Sequence, residues 1–500
     1  METDKDFQLR LLGYVPLAYA IFFLLRSIYR LYLHPLARYP GPRLAAATLW
    51  YQVYFEVFLV GRFSQQLDRL HDQYGPIVRI GPNEVHIKDP EFFDQLFNFS
   101  PDFNKPWAAP DDIARTQSFD LHKVRRKALE PYFSKKAVLN LESTIREDAE
   151  ELCQRLLEAR SAQKPASITL LARCFTAEIM SEYIFGRPYG FLADPRVSEQ
   201  FFAAQNSIFQ HVYVWQNSRI CKLILESLAL IPQSWLPEGH EMRVLGAFTS
   251  SIEERIKAAK KVGRKDTASH AKGVLLEDYA SLPLPASDQR PRTVFDMALV
   301  LFTAGFETTA YTFETAVYHT LANTNVHERL LAELSNACPN AQDMPTWLEL
   351  EKLPYLSAVI SESLRLSIGQ MLRISRRNMK EDMTYKQWVI PKGTIIGMST
   401  RHIHYDKGIF PDPDRFDPER WLKGEESKHL HKYLVSFSKG ARRCMGMNVA
   451  YAELYIAIAT LFRRFQFELY ETTRKDIDPV LDFLIPLPEK GSNGVRVLVK

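Results

Sequence analysis

The sequence predicts a mainly helical protein that begins with an apolar helix. The stretches 293–322 and 448–462 are long and mostly apolar, which is typical of helices that cross a large hydrophobic core. Nearer the start, residues 11–25 form a run of fifteen without a charge. A chain of 500 residues would by its length alone suggest about three domains. No low-complexity linker and no internal repeat divides it, so composition marks no domain boundary.

Composition narrows the classes of function. The formal net charge is only +4, which argues against nucleic acid as a partner. The cysteines are dispersed, odd in number and without a CxxC pair: Cys153, Cys174, Cys221, Cys338 and Cys444. Such a pattern indicates a reducing compartment and gives neither a disulfide framework nor a zinc site.

The apolar run 11–25 predicts a membrane anchor. As a helix it spans about 22 Å, short of the roughly 30 Å hydrocarbon layer. Continuing to Tyr32 closes that gap if Arg26 and Arg30 extend their charged ends to the interface. A cleaved signal peptide is the alternative, but acidic residues precede the run and no clear small-x-small cleavage site follows it.

We therefore expect residues 1–34 to form a single-pass anchor and residues 35–500 to form the catalytic domain. Arginines are concentrated on the downstream side of the anchor, and this excess of positive charge places that domain in the cytosol. The proline-rich segment 33–42, at the junction of the anchor and the catalytic domain, predicts a stiff, non-helical strap.

A ten-residue stretch, Phe437-Ser-Lys-Gly440-Ala-Arg442-Arg-Cys444-Met-Gly446, is the most specific motif. Its five fixed residue types would occur by chance in roughly one chain of this length in ten thousand. It resembles the haem-binding loop of the cytochrome P450 superfamily, the haem-thiolate monooxygenases. The resemblance implies haem b (iron protoporphyrin IX) as cofactor and Cys444 as the axial ligand of its iron. It also implies one large, mainly α domain with small β-sheets, which overrides the expectation from length.

Each residue type in this loop suits such a ligand. A thiolate pushes electron density onto the iron and favours cleavage of the O–O bond. Gly440 and Gly446 suit a backbone that needs φ > 0 and approaches a flat macrocycle. Arg442 can pair with a haem propionate, and Phe437 would shield the sulfur from water.

The string Ala304-Gly305-Phe306-Glu307-Thr308-Thr309 lies inside the predicted helix 293–322. Buried Glu and Thr are unusual there, and Thr hydroxyls can loosen a helical turn while Gly305 removes bulk. Alone, the string is also compatible with a cap or a surface helix. It resembles the oxygen-activating motif of the family, which implies that Thr308 donates a hydrogen bond to dioxygen and that Glu307 supplies protons.

Glu362 and Arg365 are three residues apart on one face of a predicted helix. A solvated ion pair is the simple interpretation. The family resemblance instead implies a buried structural network with Arg415, which lies in Pro413-Asp-Arg-Phe416.

The resemblance also places further residues around the haem. It implies that Arg373 and Arg126 contact propionates, with His122 where the family usually has Trp. The candidate walls of the substrate pocket are Phe302, Ala304, Met371, Leu372 and Phe483, with the segments 101–119 and 201–235.

A basic surface is expected beside the cysteine loop, formed by Lys123, Arg125, Lys127, Lys135, Lys136, Lys432, Lys439 and Arg443. A charge run is often only a solvated face. Because electrons must enter the haem from this side, it could instead steer an acidic NADPH–cytochrome P450 reductase.

The expected function is insertion of one atom of dioxygen into an apolar small molecule. We expect the anchor to lie in the lipid of the endoplasmic reticulum membrane. Short sequence stretches, such as Pro40-Gly-Pro42 and His402-Ile-His404, resemble those of fungal secondary-metabolism members near the trichothecene-pathway oxygenases. This resemblance implies a terpenoid or polyketide-derived substrate. Two alternatives are a haem-thiolate isomerase or dehydratase without external electrons, and a membrane-tethered haem carrier or sensor.

Overall fold

The computed structural model describes residues 2–98, 103–104, 112–210, 235, 237, 240–262 and 275–500. In these ranges the α-helices are α1 (Glu2–Ile28), α2 (Arg43–Ala47), α3 (Trp50–Val53), α4 (Phe63–Tyr74), α5 (Pro90–Asn98), α6 (Phe119–Leu129), α7 (Lys135–Ser161), α8 (Ile168–Phe185), α9 (Pro195–Gln210), α10 (Glu241–Val262), α11 (Leu275–Asp278), α12 (Pro291–Leu321), α13 (Thr324–Ala337), α14 (Trp347–Leu350), α15 (Pro354–Leu366), α16 (Thr400–His404), α17 (Glu425–Tyr433) and α18 (Met447–Arg464).

The strands are short: β1 (Ile77–Gly81), β2 (Glu84–Ile87), β3 (Phe103–Asn104), β4 (Ala166–Ser167), β5 (Ile374–Asn378), β6 (Met383–Tyr385), β7 (Trp388–Ile390), β8 (Ile395–Met398), β9 (Phe467–Leu469), β10 (Leu481–Phe483), β11 (Ile485–Leu487) and β12 (Arg496–Val499). The predicted fold class, mainly α with small β-sheets, is confirmed.

The largest sheet has the strand order β1-β2-β8-β5-β3. Strands β2 and β8 are parallel, with Val85 opposite Ile396, and the other pairs are antiparallel. Smaller sheets join β4-β12-β9, β10-β11 and β6-β7. The parallel pair brings residues 84–87 beside residues 395–398, which are more than three hundred positions later in the chain.

Helix α12 runs through the core and packs against α8, α15 and α18. It begins with Pro291, whose fixed φ and missing N–H suit the first helical turn. Other helices begin at serines that accept a backbone N–H: Ser118 starts α6, Ser134 starts α7 and Ser167 starts α8. Along α12 most side chains are buried, as its apolar sequence predicts.

The N-terminal helix α1 continues through a π-helical turn, Tyr29–Leu33, and the chain then becomes extended at His34. Residues Tyr14–Leu33 form a span of 20 residues that is apolar enough to cross a membrane and has no buried residue. The apolar helix predicted from the sequence is therefore present, and it contacts α2 near its C-terminal end, where Arg30 donates to the carbonyl of Ala47 (2.6 Å).

The proline-rich strap lies along the first strand of the sheet. Tyr39 donates its hydroxyl to Val389 O (2.7 Å), and Arg79 N–H donates to Pro40 O (2.6 Å). Gly41 has φ +152°, and a Cβ there would lie 2.4 Å from Arg79 O. Only glycine therefore allows this close approach of the strap to β1.

A buried network around Glu362 fixes the region before the cysteine loop. Glu362 and Arg365 are both fully buried and pair through two hydrogen bonds of 2.7 and 2.9 Å. Arg365 also donates to the carbonyls of His404 (2.9 Å) and Pro413 (2.7 Å). His404 Nε2 in turn accepts the N–H of Val435 (2.9 Å), at the start of the loop that carries Cys444.

The third arginine of this network is Arg420, and the prediction of Arg415 is wrong. Arg420 Nε donates to Glu362 Oε1 (3.1 Å), and Trp421 Nε1 donates to Glu362 Oε2 (2.9 Å). Arg415 contributes only its backbone carbonyl, to Arg365, and its side chain is exposed. The 3-10 turn Pro418–Leu422 turns Arg420 inward.

This assignment predicts different effects for two arginines five positions apart. Replacing Arg420 by Met should lower the free energy of unfolding by about 3 kcal/mol, because one charge partner of a buried carboxylate is lost. Replacing Arg415 by Met should change it by less than about 0.5 kcal/mol, as for an exposed side chain. Urea unfolding of the haem-loaded protein, followed by circular dichroism, measures both. Equal losses would contradict the assignment.

Candidate functional site

The loop between α17 and α18 presents the Cys444 side chain. Ser438 and Gly440 both have positive φ, +57° and +69°, and a 3-10 turn follows at Gly440–Arg442. The N–H of Cys444 donates to the carbonyl of Phe437 (2.8 Å), which closes the loop. The sulfur is therefore held by backbone geometry, as the sequence predicts for Gly440.

Gly446 does not need its conformational freedom. Its φ is −80°, so the expectation of a positive φ there is wrong. A Cβ added at Gly446 would have no atom within 4 Å. The absence of a side chain instead keeps the surface beside the sulfur open and flat.

The surroundings of Cys444 act on its thiol in opposite directions. Burial raises the pKa of Cys444, whereas the N–H of Gly446 and the charge of Arg126 lower it. The side chain is nevertheless accessible to solvent, so protein surrounds the sulfur without covering it. An accessible sulfur with a donor N–H and a nearby guanidinium is a suitable ligand for a metal.

Arg442 and Arg376 form a pair of guanidinium groups without a carboxylate among the described residues. Within the described ranges, Arg442 donates only to the carbonyls of Thr116 (2.8 Å), Gln117 and Ser118, and its Nε has no partner. Arg376, buried in β5, donates to Ser375 O (3.0 Å).

Burial and the neighbouring charge lower the pKa of Arg376 to about 9, and burial lowers that of Arg442 to about 10. Two enclosed positive charges side by side require an anion. A pair of propionates satisfies this requirement, so these residues fit a haem.

Arg373 is already neutralised, which corrects its predicted contact with a propionate. Its Nε donates to Glu84 (2.8 Å), and its Nη1 donates to Glu56 (3.2 Å). Both carboxylates are buried with it. Sequence reasoning selected Arg373 and missed Arg376. Because side chains alternate along an extended chain, only one of these two arginines can face the cysteine loop, and the motif does not indicate which one.

Arg126 lies against the cysteine loop. Its Nη1 donates to the carbonyl of Arg443 (2.7 Å), and its Nη2 donates to Glu130 (3.2 Å). His122 is buried one turn earlier on α6. The structure therefore brings Arg126 to the loop, while the contact of either residue with a propionate stays a prediction.

The middle of α12 presents one less buried face. Ala304 is exposed and Thr308, four residues later, is half-buried, although most of the helix is enclosed. Thr308 Oγ1 donates to the carbonyl of Ala304 (3.0 Å), as predicted. The helix nevertheless continues unbroken through this turn.

Gly305 has a different function from the one predicted. A Cβ there would lie 2.5 Å from the Cε of Met180 in α8. Its small size therefore lets α8 and α12 approach each other, and it does not widen the face that carries Thr308.

Glu307 is buried and pairs with Arg173 of α8, which also donates to Asn206 Oδ1 (2.9 Å). Seven residues further along α12, buried Glu314 accepts the hydroxyl of Thr169. Burial raises the pKa of Glu314 to about 7. The sequence indicated neither Arg173 nor Glu314, although positions seven apart share one helix face.

The predicted pocket residues separate into two groups. Leu372 and Phe483 pack with Leu481 and Phe209 in an apolar cluster where β10 meets α9. The backbone N–H of Met371 donates to Leu484 O (3.2 Å) beside it.

Phe302 does not belong to this cluster. It is buried among Phe185, Phe191, Phe201 and Phe248, between α8, α9, α10 and α12, so it is a core residue. Of the predicted pocket segments, residues 101–102, 105–111 and 211–234 lie outside the described residues.

All but one of the residues predicted for the basic surface are exposed or half-buried, although Lys135 pairs with Glu351 and Lys432 with Glu91. Exposed side chains include Lys123, Lys127, Lys135, Lys136, Lys432 and Arg443, and Lys439 is half-buried beside Asp94. Arg125 is buried and bidentate to Asp288 (2.6 and 2.8 Å), so its predicted place on this surface is wrong.

Comparison with known proteins agrees with this geometry. Residues 40–491 match the family model Cytochrome P450. The cytochrome P450 monooxygenase sdnE of Sordaria araneosa is 34% identical over 501 residues, covering 96% of each chain. The tryptophan 6-hydroxylase fscE of Fusarium equiseti is 35% identical, covering 95% of this chain and 94% of its own. The fusicoccadiene C-8 hydroxylase of Phomopsis amygdali is 33% identical, covering 100% and 98%.

These relatives are similar to the chain along nearly its whole length, from before the strap to beyond the cysteine loop. Together with the loop of Cys444 and the unpaired guanidinium groups, the match establishes the family. The chain belongs to the cytochrome P450 family and is a haem-thiolate, oxygen-incorporating oxidoreductase.

Proposed function

We propose that this cytochrome P450 inserts one oxygen atom into an apolar terpenoid or polyketide-derived molecule, using NADPH electrons from a flavoprotein reductase. The observation that carries the proposal is the position of the Thr308 hydroxyl on the less buried face of α12, directly after the buried carboxylate of Glu307. An isomerase or dehydratase that works without external electrons has no need of such a pair.

Cys444, Arg442 and Arg376 would hold the haem. When bound, haem supplies an iron centre at which dioxygen is reduced by electrons from a partner. The sulfur of Cys444 would ligate the iron, and Phe437 would shield that sulfur from water. Arg442 and Arg376 would bind the propionates, because their charges have no other carboxylate among the described residues.

Thr308 and Glu307 would move protons. The Thr308 hydroxyl can donate a hydrogen bond away from α12 once it leaves the carbonyl of Ala304. Glu307 pairs with Arg173, so its carboxylate must turn away from Arg173 before it can pass a proton toward Thr308. Buried Glu314, which lies seven residues further along α12 and has a pKa of about 7, can exchange a proton at neutral pH.

The described walls favour an apolar substrate. Ala304, Leu372 and Phe209 offer carbon surface and no charge, whereas Phe483 is buried. Among the relatives, one is named for a fusicoccadiene and another for tryptophan, so sequence similarity alone allows either class. Burial of an ammonium or carboxylate against carbon surface is unfavourable, and this supports the apolar class.

We propose residues 1–34 as an anchor in the endoplasmic reticulum membrane, with the domain 35–500 in the cytosol. The apolar span Tyr14–Leu33 has no buried residue. Next to it, Trp50, Tyr54 and Phe58 are exposed to 67, 51 and 65%. Three large exposed rings near an exposed apolar helix would enter the lipid surface together.

The basic surface around the cysteine loop would bind NADPH–cytochrome P450 reductase. Lys123 and Lys127 lie on α6, which is joined to the loop through Arg126 and the carbonyl of Arg443. Long-range attraction between opposite charges would make the rate of electron transfer fall as ionic strength rises. A rate independent of salt would exclude this mode of docking.

Replacing Thr308 by Ala should uncouple NADPH consumption from product formation. The product formed per NADPH should fall by about tenfold, since one hydrogen bond of about 1.5 kcal/mol is lost at the step that consumes protons. NADPH consumption should continue and hydrogen peroxide should rise. The assay uses the haem-loaded chain, a reductase, labelled dioxygen and a panel of terpenoids and polyketides with tryptophan included.

Replacing Thr309 by Ala is the matched control. Thr309 is buried and faces Glu453, so its removal should leave the yield per NADPH nearly unchanged. An unchanged yield in the Thr308 variant would refute its assigned role. Labelled oxygen in tryptophan and in no other compound would refute the apolar substrate class.

Replacing Arg376 by Met should speed release of haem about 10- to 100-fold, since a charged hydrogen bond contributes about 1.5–3 kcal/mol. Transfer of haem to apomyoglobin measures the release rate. Arg377, the next residue in β5 and only partly buried, provides the control Arg377→Met, for which we expect the parent rate. Equal rates for both variants would show that Arg376 holds no propionate.

A further inference from the structure

Three histidines form a buried cluster away from the cysteine loop. His71 lies on α4, His86 on β2 and His402 on α16, and their exposures are 5, 0 and 6%. The three ring centroids are 5.0 to 5.2 Å apart. One ring nitrogen from each lies within 4.8 Å of the others.

The outer ring nitrogens are directed at oxygen atoms. His71 Nδ1 lies 2.8 Å from the carbonyl of Gly75, and His402 Nε2 lies 2.7 Å from a carboxylate oxygen of Asp68. Both oxygens can only accept, so these nitrogens carry the protons. In the neutral rings the inner nitrogens, His71 Nε2 and His402 Nδ1, therefore each carry a lone pair.

His86 completes the arrangement. Its Nε2 lies 3.2 Å from the hydroxyl of Ser399, and its Nδ1 lies 2.7 Å from His71 Nε2. A simple hydrogen bond between His86 and His71 would satisfy that pair of nitrogens. It would leave His402 Nδ1, which is buried and has no hydrogen-bond partner among the described residues, unexplained.

We infer that His71 Nε2, His86 Nδ1 and His402 Nδ1 bind a divalent transition-metal ion, with zinc as the ion of choice. Neutral imidazoles whose other N–H groups bond to carbonyl, carboxylate or hydroxyl oxygens are the usual zinc ligands and supports. Tetrahedral Zn–N bonds of about 2.0–2.1 Å place the nitrogens about 3.4 Å apart. The contact between His71 and His86 then opens by less than about 1 Å.

The electrostatic surroundings tolerate a cation. The carboxylate of Asp68 lies one ring away from the proposed ion. Arg373 is close to His86, but Glu84 and Glu56 neutralise it. The ion would join α4, the large sheet and α16, whose ligands are spread over the chain from His71 to His402. It would therefore act as a structural cross-link. No cysteine takes part, which explains why the cysteine pattern predicted no zinc site.

Zinc content of the haem-loaded full chain tests the inference. The protein is produced in zinc-supplemented medium, because a buried site fills during folding, and is purified through a tag without histidine. We expect about one zinc per haem by mass spectrometry, and three nitrogen ligands in the zinc X-ray absorption spectrum.

Three variants complete the test. His402→Gln keeps a donor toward Asp68, and His71→Asn keeps a donor toward Gly75, so each removes one ligand with little other change. Zinc per haem should fall at least about tenfold in both. His429→Gln, at an exposed histidine of α17, should retain the metal. Parent protein without zinc, or zinc that persists in the His402 and His71 variants, overturns the inference. The reduced carbon monoxide spectrum verifies that each variant folds.

Discussion

The buried carboxylate of Glu362 is the interaction on which the rest of the site depends. It accepts hydrogen bonds from Arg365, Arg420, Trp421 and the backbone of Asp417, so its charge is fully compensated inside the protein. Removing such a charge from water costs several kcal/mol, and only a complete set of donors offsets that cost. Because Arg365 also holds the carbonyls of His404 and Pro413, the network determines where the cysteine loop starts.

The distribution of charge inside the protein separates structural arginines from ligand-binding ones. Arg365, Arg373 and Arg125 each have a buried carboxylate partner. Arg376 and Arg442 have carbonyl partners alone among the described residues, and they lie close together. A protein does not enclose two such charges without an anion. Arg376 and Arg442 would therefore bind the propionates of haem, and Cys444 would ligate its iron.

Features that depend on neighbours in sequence could be predicted. The cysteine loop, the continuous helix α12 and the pair Glu362–Arg365 are local patterns, and the structure contains all of them. Features that depend on tertiary packing could not be predicted. Arg420 replaced Arg415 in the network because a short 3-10 turn decides which side chain turns inward. Gly305 faces α8, and Phe302 faces three other helices, because helix rotation is set by packing that no single motif encodes.

Ligation of the haem iron by the Cys444 thiolate is tested most directly by the absorption spectrum of the Cys444→Ser variant. The reduced carbon monoxide complex of the parent protein should show the red-shifted Soret band that thiolate ligation produces. In the variant this band should be absent, even where haem is retained by Arg376 and Arg442. A red-shifted band that survives the replacement would mean that another residue ligates the iron, and it would contradict the central claim.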